Sequence, residues 1–430
     1  MELLDNPMRR YAWGSRTAIA ELQGRPVPSP HPEAEVWLGA HPGDPSYLVD
    51  ADGNRRSLFD ELLGDPAALL GAETAKRWSG RLPFLFKVLA ADEPLSLQAH
   101  PSPEQAVAGF AREQAAGIPL DDPGRSYKDD SHKPEMICAL TEFHALAGFR
   151  APDDTVRLLR ALEVADLDAH VELLARQPDV DGLRALLSTW ITLPQQTLDR
   201  LVPAVQEACV RLLQRHDVPE SAEFQDEVRT ALELAERYPG DAGVLASLLL
   251  NRVTLAPGQA IYQASGVLHA YLSGVGVELM ANSDNVLRGG LTPKHVDVPE
   301  LLRVLDFQPG PAPIAQTTSD GALTCYESMA EEFRLWRLDW SGEGGAGGTA
   351  SAPGEAAGAG DIISLPTEGP RIVLCTEGRV TVSAGSGRSL TISRGESLWL
   401  NASDTGVQAC SSQAPAQLFV ATDGLRGVGS

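Results

Sequence analysis

Cysteine is scarce in this chain of 430 residues. The five cysteines are odd in number, and no two of them form a CxxC pair. This excludes a cysteine zinc motif and a disulfide framework, and it is typical of free thiols in a reducing compartment. We therefore expect a cytoplasmic protein. The cysteines are Cys138, Cys209, Cys325, Cys375 and Cys410.

The chain also lacks a basic surplus and a long hydrophobic run. It has 58 acidic and 35 basic side chains, a formal net charge of −23. That balance argues against a nucleic-acid-binding face and against docking on anionic lipid. No apolar run approaches the roughly 18 residues of a membrane span, and residues 1–7 lack the layout of a secretory signal. We expect no nucleic-acid or membrane partner, although a local cluster of cations can still bind a small anion.

Lysine is rare among the basic residues, because 30 of the 35 are arginines. A compact ammonium group and a planar guanidinium are not interchangeable. In a chain that uses arginine so freely, a retained lysine is a candidate for chemistry. Lys87, Lys133 and Lys294 lie in segments that are unusual on other grounds.

The hydrophobic pattern changes twice along the chain. Residues 1–150 carry short apolar runs between Pro and Gly turns, and the run at 82–89 predicts a buried strand. Leucines recur at helical spacing in residues 151–247, which predicts an all-helical subdomain. After 248 the pattern favours strands, and from 321 these recur about every ten residues, as in a sandwich or jelly roll. The Gly/Ala-rich segment 341–360 is expected to be a loop.

One constellation has the donors of a metal site. Side chains two apart on a strand share a face, so Ser96, Gln98 and His100 are expected to point the same way. Glu135 follows a proline-fixed turn, and His269 adds a second imidazole. Two nitrogen and two oxygen donors without thiolate suit zinc and tolerate other divalent metals.

A second segment, residues 282–295, has the composition of an anion site. Arg288 precedes two glycines, and Lys294 follows in a loop of small polar residues. Glycines let the backbone approach an anion, and the two cations would supply charge for a phosphate. The alternative is an exposed turn with ordinary surface charges.

The order of these segments resembles the type I mannose-6-phosphate isomerases, also called phosphomannose isomerases. The segments that carry the resemblance lie in family order over most of residues 1–310. LSLQAHP with HKPE is the most specific combination. The segments are YAWGS at 11–15, EAEVWLGAHP at 33–42, LPFLFKVL at 82–89, LSLQAHP at 95–101, HKPEM at 132–136, LHAYL at 268–272 and SDNVLRGGLTPK at 283–294.

The resemblance implies a mainly β fold with a helical insertion. It predicts a discontinuous cupin-type jelly roll that binds one zinc ion, from residues 1–150 and 248–320. The helical domain is residues 151–247, and a second jelly roll follows at 321–430. That last domain is expected to bind no metal, because no histidine follows His295.

The resemblance also implies the site residues. It places the metal on the same four donors that the spacing suggests, and it adds residues around the substrate. Trp13, whose own pattern leaves packing or a pocket wall open, is included as a pocket wall. The metal ligands are Gln98, His100, Glu135 and His269; the catalytic candidates are Arg288, Lys133, His132 and Asp284; and the substrate or phosphate residues are Ser96, Lys87, Glu278, Lys294 and Trp13.

The implied reaction interconverts mannose 6-phosphate and fructose 6-phosphate by zinc-assisted proton transfer between C1 and C2, through a cis-enediol. It would feed mannose metabolism and GDP-mannose synthesis. The base is left open among Lys133, His132 and Asp284, with Lys133 favoured because a neighbouring zinc ion would favour the neutral amine. We expect a monomer whose only partner is the phosphosugar. The alternatives are a non-catalytic sugar-phosphate-binding cupin and an isomerase of another phosphosugar.

Overall fold

A computed structural model describes residues 1–215, 217–341, 356–366 and 369–425. Most of the expected loop at 341–360 lies outside these residues. As predicted, the fold is rich in strands, with the helices concentrated in one insertion. Within the described ranges, no helix combines the length and apolarity needed to cross a membrane.

Residues 1–150 supply the first set of strands and several short helices. The strands are β1 (Glu2–Asp5), β2 (Met8–Arg9), β3 (Glu35–Leu38), β4 (Tyr47–Val49), β5 (Arg55–Ser57), β6 (Phe84–Ala91), β7 (Leu97–Ala99), β8 (Glu135–Ala139) and β9 (Phe143–Phe149). The helices are α1 (Ala18–Leu22), α2 (Leu58–Gly64), α3 (Pro66–Leu70), α4 (Ala72–Arg77) and α5 (Pro103–Ala115). Helix α5 begins at a capping box formed by Ser102 and Gln105, with a proline in its first turn.

The insertion is helical, as the leucine spacing predicts. Its leucines face inward and join one core with Leu97 of β7 and with Leu268, which precedes the longest strand. The helical layer therefore supports the edge of the sheet that holds β7. The helices are α6 (Pro152–Ala161), α7 (Asp168–Arg176), α8 (Val180–Ile191), α9 (Gln195–Gln214), α10 (Pro219–Glu223), α11 (Gln225–Arg237) and α12 (Ala242–Ser247).

The chain then returns to strands. The returning elements are β10 (Leu250–Leu255), β11 (Ala260–Gln263), β12 (His269–Ala281), β13 (Leu287–Gly290) and helix α13 (Val298–Val304). The C-terminal strands are β14 (Thr317–Asp320), β15 (Leu323–Tyr326), β16 (Arg334–Trp340), β17 (Ile362–Ser364), β18 (Arg371–Glu377), β19 (Arg379–Ser383), β20 (Ser389–Ser393), β21 (Ser397–Leu400), β22 (Gln408–Cys410) and β23 (Ala416–Thr422).

Strand β12 organises the first sheet. It pairs antiparallel with β6 and β8 along one part of its length and with β7 and β9 along the other. Strands β3 and β2 continue beyond β6, while β11 and β13 pair with β8 and β7. Strands β6, β7 and β8, which carry or adjoin predicted site residues, therefore meet at β12, and β13 with Arg288 joins through β7.

The second sheet joins the two ends of the chain. Its order is β14-β15-β16-β23-β18-β21-β1-β4-β5, so three N-terminal strands extend a sheet made of C-terminal ones. The division into three domains stays a prediction. The strand pairing adds that residues 2–5 lie against Ser397–Leu400 rather than in the first sheet. A third sheet, β17-β22-β19-β20, covers the other face of the C-terminal strands.

The first two sheets pack face to face. Phe84, Phe86 and Val88 of β6 enter one core with Ile372 and Phe419 of the second sheet. Every residue of β6 is buried, so the alternate residues on its other face are enclosed as well. A strand covered on both faces holds its side chains in place more firmly than an exposed strand does.

We predict that Leu279→Ala destabilises the protein by about 2–5 kcal/mol, the range for a fully buried leucine. Leu279 is 0% exposed in the core between the sheets. The matched control is Leu63→Ala, where the side chain is 68% exposed, and a change within about 0.5 kcal/mol is expected. Denaturant unfolding followed by tryptophan fluorescence measures both, and equal midpoints would contradict the packing described.

Candidate functional site

Strands β6, β8 and β12 bring charged residues to one side of the first sheet. Lys87 lies opposite Glu278 in the register, and Glu135 lies opposite Met280. Because side chains alternate along a strand, the neighbours of these residues point the other way into the core between the sheets. The candidate site therefore lies on one face of these strands, and their other face is packed against the second sheet.

Strand β7 adds a second row. Gln98 pairs with His269 on one side and with Arg288 on the other. Directly opposed residues of antiparallel strands share a face. One short strand therefore aligns an amide, an imidazole and a guanidinium. Ser96 and His100 are on the same face of this segment, as the spacing predicts.

The two histidines converge on Glu135. His100 Nε2 lies 3.4 Å from Glu135 Oε1, and His269 Nε2 lies 3.4 Å from Glu135 Oε2. Each ring is anchored from behind, because Nδ1 lies 2.7 Å from the Asn285 carbonyl oxygen in His100 and 2.9 Å from that of Val267 in His269. A carbonyl oxygen can only accept a hydrogen bond, so Nδ1 carries the proton in each ring and the neutral imidazole presents the Nε2 lone pair to the site.

This arrangement fits a metal ion. The ligand atoms of His100, Glu135 and His269 all lie within 4.8 Å of one another, and all three residues are buried. His100 Nε2 is buried and makes no hydrogen bond with the described residues. Burial lowers the pKa of His100 despite the opposing effect of Glu135, which favours the neutral, ligating form. Nitrogen and oxygen donors, with the Gln98 amide beside them, suit zinc.

Lysines balance the buried carboxylates. Lys133 Nζ lies 2.9 Å from Glu135 Oε1. Burial opposes ionisation of Glu135, but Lys133 and His100 together lower its pKa well below the usual range. Lys87 Nζ lies 2.9 Å from Glu278 Oε2 and 3.8 Å from Glu35 Oε1. Burial alone would lower the pKa of Lys87, but the surrounding carboxylates outweigh it and raise the pKa.

A cavity of about 620 Å³ opens onto these groups. Arg288 and Lys294 lie on its wall, and Arg288 makes no ion pair with any residue that the structure describes. Burial lowers the pKa of Arg288, while burial and the charge of Arg288 lower that of Lys294. Two close cations without carboxylate partners favour an anionic group of a ligand.

Asp284 lies on the same wall and is held by two contacts. Its Oδ2 is 3.3 Å from His41 Nε2, and its backbone N–H donates to Asp129 Oδ2 at 2.8 Å. The hydrogen bond from His41 outweighs burial and lowers the pKa of Asp284. The carboxylate is thus held ionised at the mouth of the cavity.

The structure brings most of the predicted residues together. Glu278 lies behind Lys87 rather than on the wall. The predicted residues that line the cavity are Trp13, Lys87, Ser96, Gln98, Lys133, Asp284, Arg288 and Lys294.

His100, Glu135 and His269 form the buried metal group and do not themselves line the cavity. His132 belongs to neither set. It precedes Lys133 by one residue and therefore points to the other side of the segment, where its Nε2 lies 2.7 Å from Glu332 Oε1. Its ring is not on the wall of the cavity. The structure thus gives no geometric support for His132 as the base.

Three residues that contribute to the site were not predicted from the sequence. Glu35 accepts from Trp37 Nε1 at 2.7 Å and faces Lys87. His41 contacts Asp284. Asn285, which is 0% exposed, supplies the carbonyl that anchors His100. Glu35 and His41 lie in the EAEVWLGAHP run at 33–42. Had the strand β3 been predicted there, alternation along it could have singled out Glu35. No signal within the chain identified the roles of His41 and Asn285.

Comparison with known proteins agrees with this geometry. The family model described as phosphomannose isomerase type I, catalytic domain, matches residues 1–152. The chain is 37% identical over 409 residues to mannose-6-phosphate isomerase of Escherichia coli K12, covering 95% of this chain and 96% of that protein. It is 30% identical over 418 residues to the Bos taurus protein of that name, covering 93% and 92%.

Solved structures give the same result. A crystal structure of a variant of phosphomannose isomerase from Salmonella typhimurium matches with a TM-score of 0.86 and 35% identity, over 99% of this chain and 100% of that one. A zinc-bound mannose 6-phosphate isomerase matches with a TM-score of 0.84 and 34% identity, over 99% of each chain. The predicted fold class is confirmed.

We predict that the chain, stripped by a chelator and supplied with zinc, binds one ion. His269→Ala should weaken binding by more than about 100-fold, since loss of a ligand exceeds the 10–100-fold effect of its supporting partners. His144→Ala is the control, because that ring faces Thr254 of the neighbouring strand, 3.3 Å away. Titration calorimetry and metal analysis measure both variants; equal zinc content in the two would exclude the site.

Proposed function

The chain belongs to the type I phosphomannose isomerase family and is a mannose-6-phosphate isomerase, and from this premise we propose how its residues act. The observation that carries the proposal is the cavity itself. Arg288 and Lys294 line the same cavity as Gln98 and Lys133. These last two residues adjoin the buried His–Glu–His group, since Gln98 pairs with His269 and Lys133 contacts Glu135. A substrate with a carbonyl at one end and a phosphate at the other matches both the metal group and the cations.

We propose that Arg288 and Lys294 bind the phosphate. Neither cation has a carboxylate partner among the described residues, and the cavity that they line also reaches Ser96 and Trp13. Binding energy taken from the phosphate, remote from the reacting carbons, pays for holding the open-chain sugar in place. Trp13 would form an apolar wall against the sugar chain.

Zinc is the proposed metal, held by Gln98, His100, Glu135 and His269. When bound, it supplies Lewis acidity toward a carbonyl oxygen. The chain's part is to fix the ligands. The Nδ1 atoms of both histidines are held by backbone carbonyls, and the Glu135 carboxylate by Lys133. The donor set carries one formal negative charge, so a divalent ion would keep net positive charge.

We propose that a base removes the proton from C2 of open-chain mannose 6-phosphate. The C–H electrons form a C1–C2 double bond, the C1 oxygen takes a proton, and a cis-enediol results. Returning the proton to C1 while the C2 hydroxyl becomes a carbonyl gives fructose 6-phosphate. Lys133 is the favoured base, because its amine lies on the cavity wall and a zinc ion held by Glu135, whose Oε1 lies 2.9 Å from that amine, would favour the neutral form. Asp284 stays the alternative, and its lowered pKa makes it the weaker base.

Lys87 has a different proposed role. Its ammonium is enclosed by Glu278 and Glu35 and its pKa is raised, so it stays protonated. A fixed ammonium on the cavity wall is suited to donating a hydrogen bond to a sugar oxygen rather than to accepting a proton.

We further propose a cytoplasmic monomer that supplies mannose metabolism, including GDP-mannose synthesis. Two observations support this setting. All five cysteines are free, and the site described is built from a single chain.

The substrate is tested by comparing phosphosugars on the purified, zinc-loaded chain. We predict turnover of mannose 6-phosphate to fructose 6-phosphate, with much lower kcat/KM for glucose 6-phosphate and for mannose without its phosphate. Coupled assays and sugar chromatography measure the products. Turnover of a different phosphosugar in preference would identify an isomerase of another substrate, and binding without turnover would indicate a non-catalytic protein.

The base is tested by Lys133→Met. We predict that kcat falls by about 10²–10⁴-fold, the usual contribution of a positioned base, while KM changes little. The control is Lys76→Met on helix α4, where the side chain is exposed. Steady-state kinetics measure both; if Lys133→Met keeps its kcat and Asp284→Asn loses it, the base is Asp284.

A further inference from the structure

The segment that carries Lys133 and Glu135 directs side chains to two different parts of the molecule. Lys133 lies on the cavity wall and contacts Glu135, whereas His132, Met136 and Cys138 point toward the second sheet. Met136 and Cys138 are buried in the core between the sheets. Cys138 Sγ lies 3.2 Å from the Tyr326 hydroxyl.

His132 makes a second polar contact on this face, with a charged residue. Its Nε2 lies 2.7 Å from Glu332 Oε1, and since a carboxylate oxygen accepts, Nε2 must carry the proton. Glu332 is only 8% exposed. Its other oxygen, Oε2, is buried and has no hydrogen-bond partner in the described part of the chain. The imidazole is therefore the one described hydrogen-bonding partner of a buried carboxyl group.

Both residues next to Glu332 in the sequence are held by the C-terminal sheet or the segment after it. Glu332 lies two residues before β16, and the next side chain, Phe333, is 0% exposed in the core between the sheets. The carbonyl oxygen before it, on Glu331, accepts from Gly424 N–H at 2.9 Å. The C-terminal sheet thus presents a fixed acceptor to the segment that leads into the site.

Hydrogen bonds also hold the backbone of the segment that carries Lys133. Asn285 Nδ2 donates to the Ser131 carbonyl at 2.8 Å, and Ala281 N–H donates to the Pro134 carbonyl at 3.0 Å. These bonds fix the backbone on either side of Lys133. His132 fixes it from the other side, by a polar side-chain contact one residue before the proposed base.

We propose that His132 is a positioning residue and that the Glu332–His132 hydrogen bond is how the C-terminal β-sandwich holds Lys133 in the cavity. The proposal rests on the proposed function, because it assigns a role within that reaction. A displacement of about 1 Å in a catalytic group can cost about 100-fold in rate. A short hydrogen bond beside Lys133 is therefore sufficient to matter without touching the substrate.

The test is a double-mutant cycle on the zinc-loaded chain with mannose 6-phosphate. We expect His132→Ala and Glu332→Ala each to lower kcat by about 10- to 100-fold, with KM near that of the parent protein. The double variant should be no slower than either single one, since both break the same bond. His132→Gln, which keeps a donor at the position of Nε2, should recover most of the loss.

The control is Glu331→Ala. Glu331 also bridges to the N-terminal half, through Arg77 Nη2 at 2.6 Å, but both side chains are more than half exposed. Exposed ion pairs contribute little, so kcat should stay within about twofold of the parent value. This comparison separates the buried bond from a general effect of charge at the junction.

A catalytic His132 gives the opposite pattern. His132→Gln would then lose about 10²–10⁴-fold, and Glu332→Ala would act independently of it. Either result overturns the proposal. His132→Gln decides the matter alone if the alanine variants fail to fold.

Thermal unfolding tests the hydrogen bond independently of the isomerase activity. His132→Ala leaves a buried carboxyl group unpaired, so its melting midpoint should lie below that of the double variant, which removes the carboxyl as well. If the parent protein shows no turnover but this order of midpoints holds, the proposed function fails and the hydrogen bond stands. Equal or reversed midpoints contradict the bond itself.

Discussion

The buried carboxylate of Glu135 is the constraint on which the site depends. An ionised carboxylate is costly to bury unless charges and donors surround it. Here Lys133 supplies the compensating charge. Two imidazoles, from β12 and the end of β7, direct their Nε2 atoms at the same carboxylate, and a backbone carbonyl orients each ring. The same carboxylate that needs compensation supplies the charge for a metal ion. The cavity, the lysines and the cation wall are arranged around that centre.

Holding such a centre requires strands that cannot shift. Strands β6, β8 and β12 carry functional side chains on one face, and their other face is packed against the second sheet. The C-terminal half of the chain therefore has a physical role without contributing a ligand. The N-terminal strand β1 pairs with β21 inside that second sheet, so the two halves share a backbone ladder as well as a core. Unfolding one without disturbing the other is not expected.

Much of this was predictable from the sequence, and the failures have physical reasons. Period-two spacing aligned Gln98 and His100, and leucine spacing predicted the helical insertion, because both patterns are local. The family resemblance placed His132 in the site, whereas the segment before β8 directs its ring to Glu332, 200 residues away in the sequence. The pairings of Lys87 with Glu35 and of Asp284 with His41 were missed for the same reason, since they depend on sheet register. The family resemblance named residues but not these supports.

Stepwise addition of zinc to the metal-free chain, with mannose 6-phosphate turnover followed at each step, tests the central claim most directly. If the convergence on Glu135 is the catalytic metal centre, turnover rises in proportion to zinc and stops rising at one ion per chain. Full turnover before any zinc is added, or none after one ion is bound, would contradict it.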